Sequence, residues 1–439
     1  MMTIDVLIIG AGGAGLLAAR NLAQAGRHVT ILEARSRPGG RICTLGLEAG
    51  FSAPTEAGAE FLHGNVPLTR ELLTAYGIRW YDTAGTTYEV AAGQAQQAEV
   101  FLKDMPLLLE RLHQLPHDMP LAEFLTEYFP GPEYAELRRQ ATAFAEGYDA
   151  ADARRVSSLA LRDEWSGNGA EDSPRPEGGY AGLVQGLTRE LEAAGAQLVL
   201  GAQVARIEWQ PGQVIVRCQD GRVFQAPQLL LTVPLGVWQA PAGQPGHLPI
   251  HPDLPEHHAA AQALGFGPVI KYLLEFDAPI WEQLSADVVQ PLPEVGFLFS
   301  DAAVPTWWSQ QPRSQPLLTG WLAGPAAAHR QHYSPAELLT EALGSLAYLL
   351  QTTPAHLRQH LKAHQVLNWG TDPLALGAYS YPTLNAAQFR ATLSTPVAGT
   401  LFIAGEAVYT GPYSGTVEAA LVTGAAAAQQ ILRISAQPA

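Results

Sequence analysis

IDVLIIGAGGAGLLAARNLAQAG at residues 4–26, followed by HVTILE at 28–33, is the stretch on which the reading of the whole chain turns. Its first seven residues are almost continuously apolar and end in glycine, the pattern of a parallel strand buried on both faces. GAGGAG at 10–15 then sets Gly10, Gly12 and Gly15 in GxGxxG register at the start of an Ala/Leu-rich helix, expected from about Gly13 to Ala25 and stopped by Gly26. In such a turn Gly10 permits the tight bend, Gly12 lets the backbone approach a pyrophosphate, and Gly15 lets helix and strand pack closely. The helix N-terminus faces the negative charge. Glu33 closes the second strand 18 residues after Gly15, where a carboxylate can accept a hydrogen bond from a ribose 2′-hydroxyl. The segment therefore predicts a Rossmann-type βαβ unit holding a dinucleotide; an acid at this place disfavours NADP and leaves NAD and FAD open.

A chain of 439 residues predicts two or three domains, and charged residues at only 15%, below the roughly 25% of average soluble proteins, predict well-buried elements. The 41 acidic against 26 basic side chains argue against a nucleic-acid partner and tolerate a cationic ligand. Cys43 and Cys218 form no CxxC pair, so neither a disulfide framework nor a structural metal is expected. With the first strand starting at Ile4 and no apolar run near the ~18 residues of a membrane span, a cytoplasmic protein without membrane attachment is expected.

Apolar residues then recur at helical spacing from about Lys103 to Leu161, in segments broken by Pro and Gly. A polar loop at 166–179, of a length that often marks a lid, leads into the helical run YAGLVQGLTRELEAAG. AQLVLG, VARIEW, QVIVRC, RVFQA and QLLLTV read as a β-meander followed by one buried strand. A Pro/His-rich linker at 240–258 precedes a β-rich section from Val269, and the chain closes with TLFIAG and an Ala-rich helix from about Gly415 to Leu432. The fold class expected is α/β with α+β insertions. Residues 1–90, 195–245 and 365–439 would form a discontinuous dinucleotide-binding domain, and 91–194 and 246–364 a mixed β-sheet and helical substrate-binding domain.

EARSRPGGR at 33–41 is a second glycine turn flanked by arginines; alone it reads as a basic surface turn, although Arg41 could neutralise pyrophosphate oxygens. GxGxxG followed by ExRxRxGGR resembles the FAD-binding start of the flavin-containing amine oxidase family, which includes polyamine oxidases, monoamine oxidases and histone lysine demethylases. The resemblance continues in order along almost the entire chain, through EAGAEFLHG, EGYDAAD, EGGYAGLVQGL, VARIEW, LLTVPLGV, GFGPVIKYLLEF, WGTDPLALGAYSY, FIAGEAV and GTVEAALVTG. It implies FAD held by Gly10, Gly12, Gly13, Ala14 and Gly15, by Glu33, Ala34, Arg35, Gly40 and Arg41, and by Gly58, Ala59 and Glu60. The Val204 backbone would meet adenine, Trp369, Gly405 and Glu406 the middle of the cofactor, and Thr416 and Val417 the ring, the Val417 N–H facing a pyrimidine oxygen. Ala378 stands where covalently flavinylated members carry cysteine, so the FAD is expected to be non-covalent.

Strand alternation in VIKYLLEF puts Val269, Lys271, Leu273 and Glu275 on one face, and a lysine there ordinarily reads as solvated. The resemblance implies instead that Lys271 holds, through a water, the region of flavin N5 and assists its reoxidation. It likewise implies that Tyr379 is the first aromatic of a substrate cage, open to cation–π contact with an amine. Thr416 takes the second cage position, where monoamine oxidases are aromatic. His63 in FLHG matches the histidine of polyamine-oxidase-like members, and Glu60 reads either as negative charge offered to the site or as a surface acid.

The reaction expected is transfer of a hydride equivalent from the α-carbon of a small-molecule amine, with a polyamine-like substrate favoured, to FAD, followed by imine hydrolysis and reoxidation by O2 to hydrogen peroxide. The alternatives are a flavin dehydrogenase or desaturase using another acceptor, and a flavin-holding binding protein. His247, His251, His257 and His258, without a ligand spacing, read as a solvated segment and not a metal site.

Overall fold

The computed structural model describes residues 3–98, 102, 104–167, 173–282 and 284–435. Val6–Ile9 is the central strand of a five-stranded parallel sheet. Val29–Leu32 and then Gln197–Val199 lie on one side of it, Gln228–Leu231 and then Leu401–Ile403 on the other. Strand order reverses at this first strand, so its carboxyl end opens the crevice in which such sheets bind ligands. Alternation divides its side chains: Val6 and Ile8 enter one apolar core, Leu7 and Ile9 the other.

The first core is covered by the helices Gly13–Gln24, Ala181–Ala193 and Val417–Ser435. Their approach is close enough to dictate glycine, because a Cβ on Gly15 would stand 2.0 Å from the Gly10 carbonyl oxygen and one on Gly424 2.3 Å from that of Ala14. The second core is covered by a four-stranded sheet of Val223–Ala226, Gln213–Cys218, Val204–Gln210 and Ile250–His251, with the helix Pro255–Ala263 also in it.

A seven-stranded sheet makes the other half, in the order Leu361–Asn368, Val269–Phe276, Leu317–Ala323, Thr306–Trp308, Val295–Ser300, Thr86–Ala91, Gln94–Gln97. Its pairings are antiparallel except between Val295–Ser300 and Thr86–Ala91. The helices Met105–His113, Leu121–Tyr128, Ala135–Gly147 and Ser158–Trp165 form a separate apolar layer, tied to the sheet by the Trp321 indole N–H, which donates to the Gly147 carbonyl at 2.8 Å.

Two readings change. Gln197–Val199 is not part of the meander but pairs in parallel with Val29–Leu32 as the edge of the first sheet. The Pro/His-rich linker is partly ordered structure: His257 is buried on the helix Pro255–Ala263, its Nε2 3.4 Å from the Thr395 carbonyl. Thr86–Ala91 and Leu361–Asn368 belong to the seven-stranded sheet, and Ala181–Ala193 packs on Gly13–Gln24. The polar loop read at 166–179 lies partly outside the described residues. Among the described residues no helix is long and apolar enough to cross a membrane.

Candidate active site

The first glycine turn is built as a cradle. Gly10 has φ +103°, Gly12 caps the helix Gly13–Gln24 without any side-chain cap, and a Cβ on Gly12 would meet nothing nearer than the Gly39 carbonyl at 4.0 Å. The backbone N–H groups at Gly13, Ala14 and Gly15 thus open the helix as an anion-binding end. Glu33 is buried, accepting the Ala11 N–H at 2.8 Å on one oxygen and the Arg35 N–H at 2.8 Å on the other. Ala34 lies between them, and the Arg35 guanidinium pairs with Asp372 at 2.7 Å. The Ala202 N–H donates to the Glu33 carbonyl, which brings the chain leading into Val204 beside that acid.

The second glycine turn locks onto the first, the Gly39 N–H donating to the Ala11 carbonyl at 2.7 Å. Gly40, with φ +60°, lies against Gly12. Arg41 is no free surface cation: Nη1 donates to the Ala378 carbonyl at 2.6 Å and to Glu406 Oε1 at 2.8 Å. The other oxygen of buried Glu406 accepts from the Ser380 hydroxyl at 2.6 Å, so Glu406 joins Arg41 to the strand that carries Tyr379. Gly405 precedes it at φ +140°. Gly58 is required by proximity, since a Cβ would fall 1.8 Å from the Arg41 carbonyl oxygen, and the Ala59 N–H donates to that same oxygen. The Trp369 indole N–H donates to the Ala57 carbonyl at 3.1 Å and anchors this run. An open glycine turn, an uncapped helix end, a buried acid and a nearby arginine are the donor set a dinucleotide needs, and the residues present fit FAD.

The run from Gly58 leads directly to a buried charge cluster. Lys271 is 1% exposed, and all eight residues of its strand are buried, so alternation does not give this strand a solvated face. It lies between two strands, Leu317–Ala323 and Leu361–Asn368, with both faces covered. Lys271 Nζ donates to Glu60 Oε2 at 2.7 Å and to the Gly58 carbonyl at 3.2 Å. Glu60 is buried rather than a surface acid, and its Oε1 takes Arg175 Nε at 2.9 Å and the Trp308 indole N–H at 3.0 Å. Burial alone would push its carboxyl up, but Lys271 and Arg175 outweigh this and hold it down at about 2. Four residues earlier, Glu56 accepts the Thr44 hydroxyl and the Tyr180 N–H but has no cation in contact among the described residues, and burial pushes it up to about 7.

An aromatic wall adjoins the cluster. Phe61 packs on Trp308 with ring centroids 5.5 Å apart and on His63 at 5.7 Å, and His63 meets Tyr148 edge-on at 5.5 Å. Tyr379 donates its hydroxyl to the Tyr148 carbonyl at 2.6 Å, and burial lifts its phenol well above the ordinary value. Its ring is 3.1 Å from where a Cβ on Gly415 would stand, so Tyr379 and the start of the last helix are neighbours. Thr416 opens that helix: its hydroxyl donates to the Tyr413 carbonyl at 2.7 Å and accepts the Ala419 N–H at 3.2 Å, an N-cap pattern, with Val417 next. His63 Nδ1 lies 3.1 Å from the Ser173 hydroxyl and 3.3 Å from that of Tyr148.

Several members of this arrangement had no sequence signal of their own. Arg175, Trp308 and Tyr148 come from three distant segments and meet only in the fold. Asp149 is buried, shares a hydrogen bond with Glu164 and sits well above the carboxylate range through burial and the neighbouring charge; burial likewise pushes Glu164 up to about 7. Among the described residues no group of three or more His, Cys, Asp and Glu could hold a metal ion.

A glycine-rich turn of dinucleotide-binding type joined to a buried charged and aromatic cluster marks the class: an α/β nucleotide-binding enzyme with an inserted substrate half. The profile of the flavin containing amine oxidoreductase family matches residues 14–432, and the chain belongs to that family. It is an FAD-dependent oxidoreductase that acts on amines. Polyamine oxidase 4 of Oryza sativa subsp. japonica is 28% identical over 97% of this chain and 88% of its own length. Lysine-specific histone demethylase 1 homolog 3 of Arabidopsis thaliana is 28% identical over 98% of this chain, which spans only 30% of that protein. Among solved structures, cyclohexylamine oxidase from Brevibacterium oxydans IH-35A superposes with a TM-score of 0.80 at 22% identity, covering 99% of this chain and 100% of that one. Wild-type putrescine oxidase bound to putrescine gives 0.78 at 20% identity over 98% and 99%.

Proposed function

We propose that this enzyme passes its electrons to dioxygen, releasing hydrogen peroxide, and that its substrate is a polyamine-like amine. The observation that carries the oxidase reading is Lys271: a wholly buried ammonium with two of its three N–H groups given to Glu60 and Gly58, and no protein acceptor for the third among the described residues. A buried donor left over in this way calls for a ligand or a water. The substrate reading rests on the acid pair Asp149 and Glu164, on the Tyr379 and Tyr148 rings beside it, and on the names of relatives that act on polyamines.

FAD bound in the cradle supplies the electron sink for the hydride equivalent leaving the amine α-carbon. The protein's part is positional. The walls formed by Phe61, Trp308, Tyr148 and Tyr379 exclude water and hold the nitrogen neutral and oriented, a role that can supply several kcal/mol. The imine that leaves is hydrolysed by water to a carbonyl compound and an amine. Lys271, held by Glu60 and the Gly58 carbonyl, would offer its third N–H to the bound cofactor or to a water beside it. In this reading the parallel sheet with its glycine turns forms the FAD domain, and the seven-stranded sheet with the helical layer forms the substrate domain. Two unpaired cysteines support a reducing compartment such as the cytoplasm.

Anaerobic titration of the holoenzyme with mono- and polyamines tests this: a polyamine should bleach the flavin at the lowest concentration, and admitting air should restore the colour with peroxide release. Restoration by a quinone but not by oxygen would make the chain a dehydrogenase. Lys271→Met should slow reoxidation roughly a hundred-fold, the cost of one oriented donor, while FAD stays bound.

A further inference from the structure

Lys271 does not stand alone: it is the end of a buried row of three ions. Arg175, Glu60 and Lys271 are 4%, 7% and 1% exposed, and Glu60 offers one oxygen to each cation, at 2.9 Å and 2.7 Å. Arg175 is itself fixed, by the Ser309 carbonyl at 3.0 Å and by stacking over Phe61 at 4.5 Å. Trp308 donates to the same oxygen as Arg175 and lies 5.7 Å from the Lys271 ammonium.

We propose that Glu60 is the positioning residue of the Lys271 ammonium, its carboxylate keeping that cation charged and aimed while Arg175 and Trp308 fix the carboxylate's orientation. This rests on the reading of Lys271 as the group that serves flavin reoxidation. The physical reason is the arithmetic of buried charge. Arginine does not give up its proton inside a protein, whereas lysine does so readily when desolvated. Without Glu60, two cations share a dry interior, and the lysine is the one that becomes neutral. A neutral amine loses both its charge and the third aimed N–H.

Other titratable groups reach this cluster: Glu56 and Cys43 act on Lys271, and Tyr81 faces Arg175 and Glu60 with Arg313 beside it. Their effect has the opposite sign. As pH rises, ionisation of Glu56, Cys43 or Tyr81 adds negative charge and favours the lysine ammonium, so none of them can mimic loss of its proton.

The test uses holoenzyme reduced anaerobically and mixed with oxygenated buffer between about pH 6 and about pH 9, for wild type, Glu60→Gln and Lys271→Met. Wild type should reoxidise at a nearly constant rate. Glu60→Gln should match it at the acid end and fall by about ten-fold per pH unit once the lysine loses its proton. Sulfite binding to the oxidised flavin, read by absorbance, gives a measure independent of turnover: the adduct is anionic, so its affinity should drop in Glu60→Gln at alkaline pH and in Lys271→Met throughout. If Glu60→Gln does not fold, Trp308→Phe, which removes a single N–H from the carboxylate, should show the same pH dependence more weakly. A wild-type profile in whichever of these two variants folds, with Lys271→Met slow, overturns the role of Glu60 alone. A fast Lys271→Met removes the reading of Lys271, and the proposal with it.

Discussion

At the glycine-turn end the site is made largely of backbone: an uncapped helix start, glycines whose missing Cβ atoms leave room, and carbonyls that lock one turn to the other. At the charged end it is made of buried side chains, Arg175, Trp308 and Lys271 each standing more than a hundred residues along the chain from the Glu60 they meet. A backbone site is written in consecutive residues and fails by steric conflict. A side-chain site is assembled by the fold and fails by electrostatic imbalance. The contrast also separates neighbours, since Glu56 and Glu60 lie in one segment yet titrate in opposite directions, to about 7 and about 2, because only Glu60 has two cations.

The comparison can be broken most severely at the glycines. Gly15→Ala puts a methyl 2.0 Å from the Gly10 carbonyl oxygen, and overpacking of this kind should cost about 3 kcal/mol and abolish FAD retention. Gly12→Ala finds open space in the protein, so it should keep its urea midpoint and lose only cofactor affinity. Equal behaviour of the two in urea melts and flavin content would deny that the turn is a cradle.

Smaller effects sharpen the electrostatic side. Glu56 has its value raised in the fold, so its contribution is fully present below about 4.5 and is lost as pH rises through about 7, up to about 3 kcal/mol for a shift of this size. Glu60 is depressed, so its contribution is present above about 4.5 and is lost as pH falls through about 2. Glu56→Gln, neutral at every pH, should therefore gain stability on wild type as urea melts move from about pH 5 to about pH 8. Parallel curves for the two proteins would mean that Glu56 ionises as an ordinary acid. Least of all, Tyr379→Phe keeps the ring and gives up one hydrogen bond to Tyr148, which should cost about 1 kcal/mol with little change in amine affinity.

Legibility in the sequence followed the same division. The strand Val6–Ile9, the helix Gly13–Gln24 and Glu33 were readable because strand burial, glycine register and the acid's spacing are local properties. Gln197–Val199 was misassigned because a parallel edge strand and a meander strand look alike in three residues. Lys271 read by alternation alone is a solvated residue; what overrides this is a strand covered on both faces, invisible without its two sheet partners. Glu60 had two equal readings until Arg175 and Trp308 arrived from elsewhere in the chain.

The sequence by itself determined the opening βαβ unit, because contacts among the turn, the helix and the second strand lie within 33 consecutive residues, and a missing Cβ has the same meaning wherever it is read. Only the tertiary structure decided which of the acids and cations are partners. The energy of a buried charge depends on what surrounds it in space, and those surroundings are collected from the whole chain.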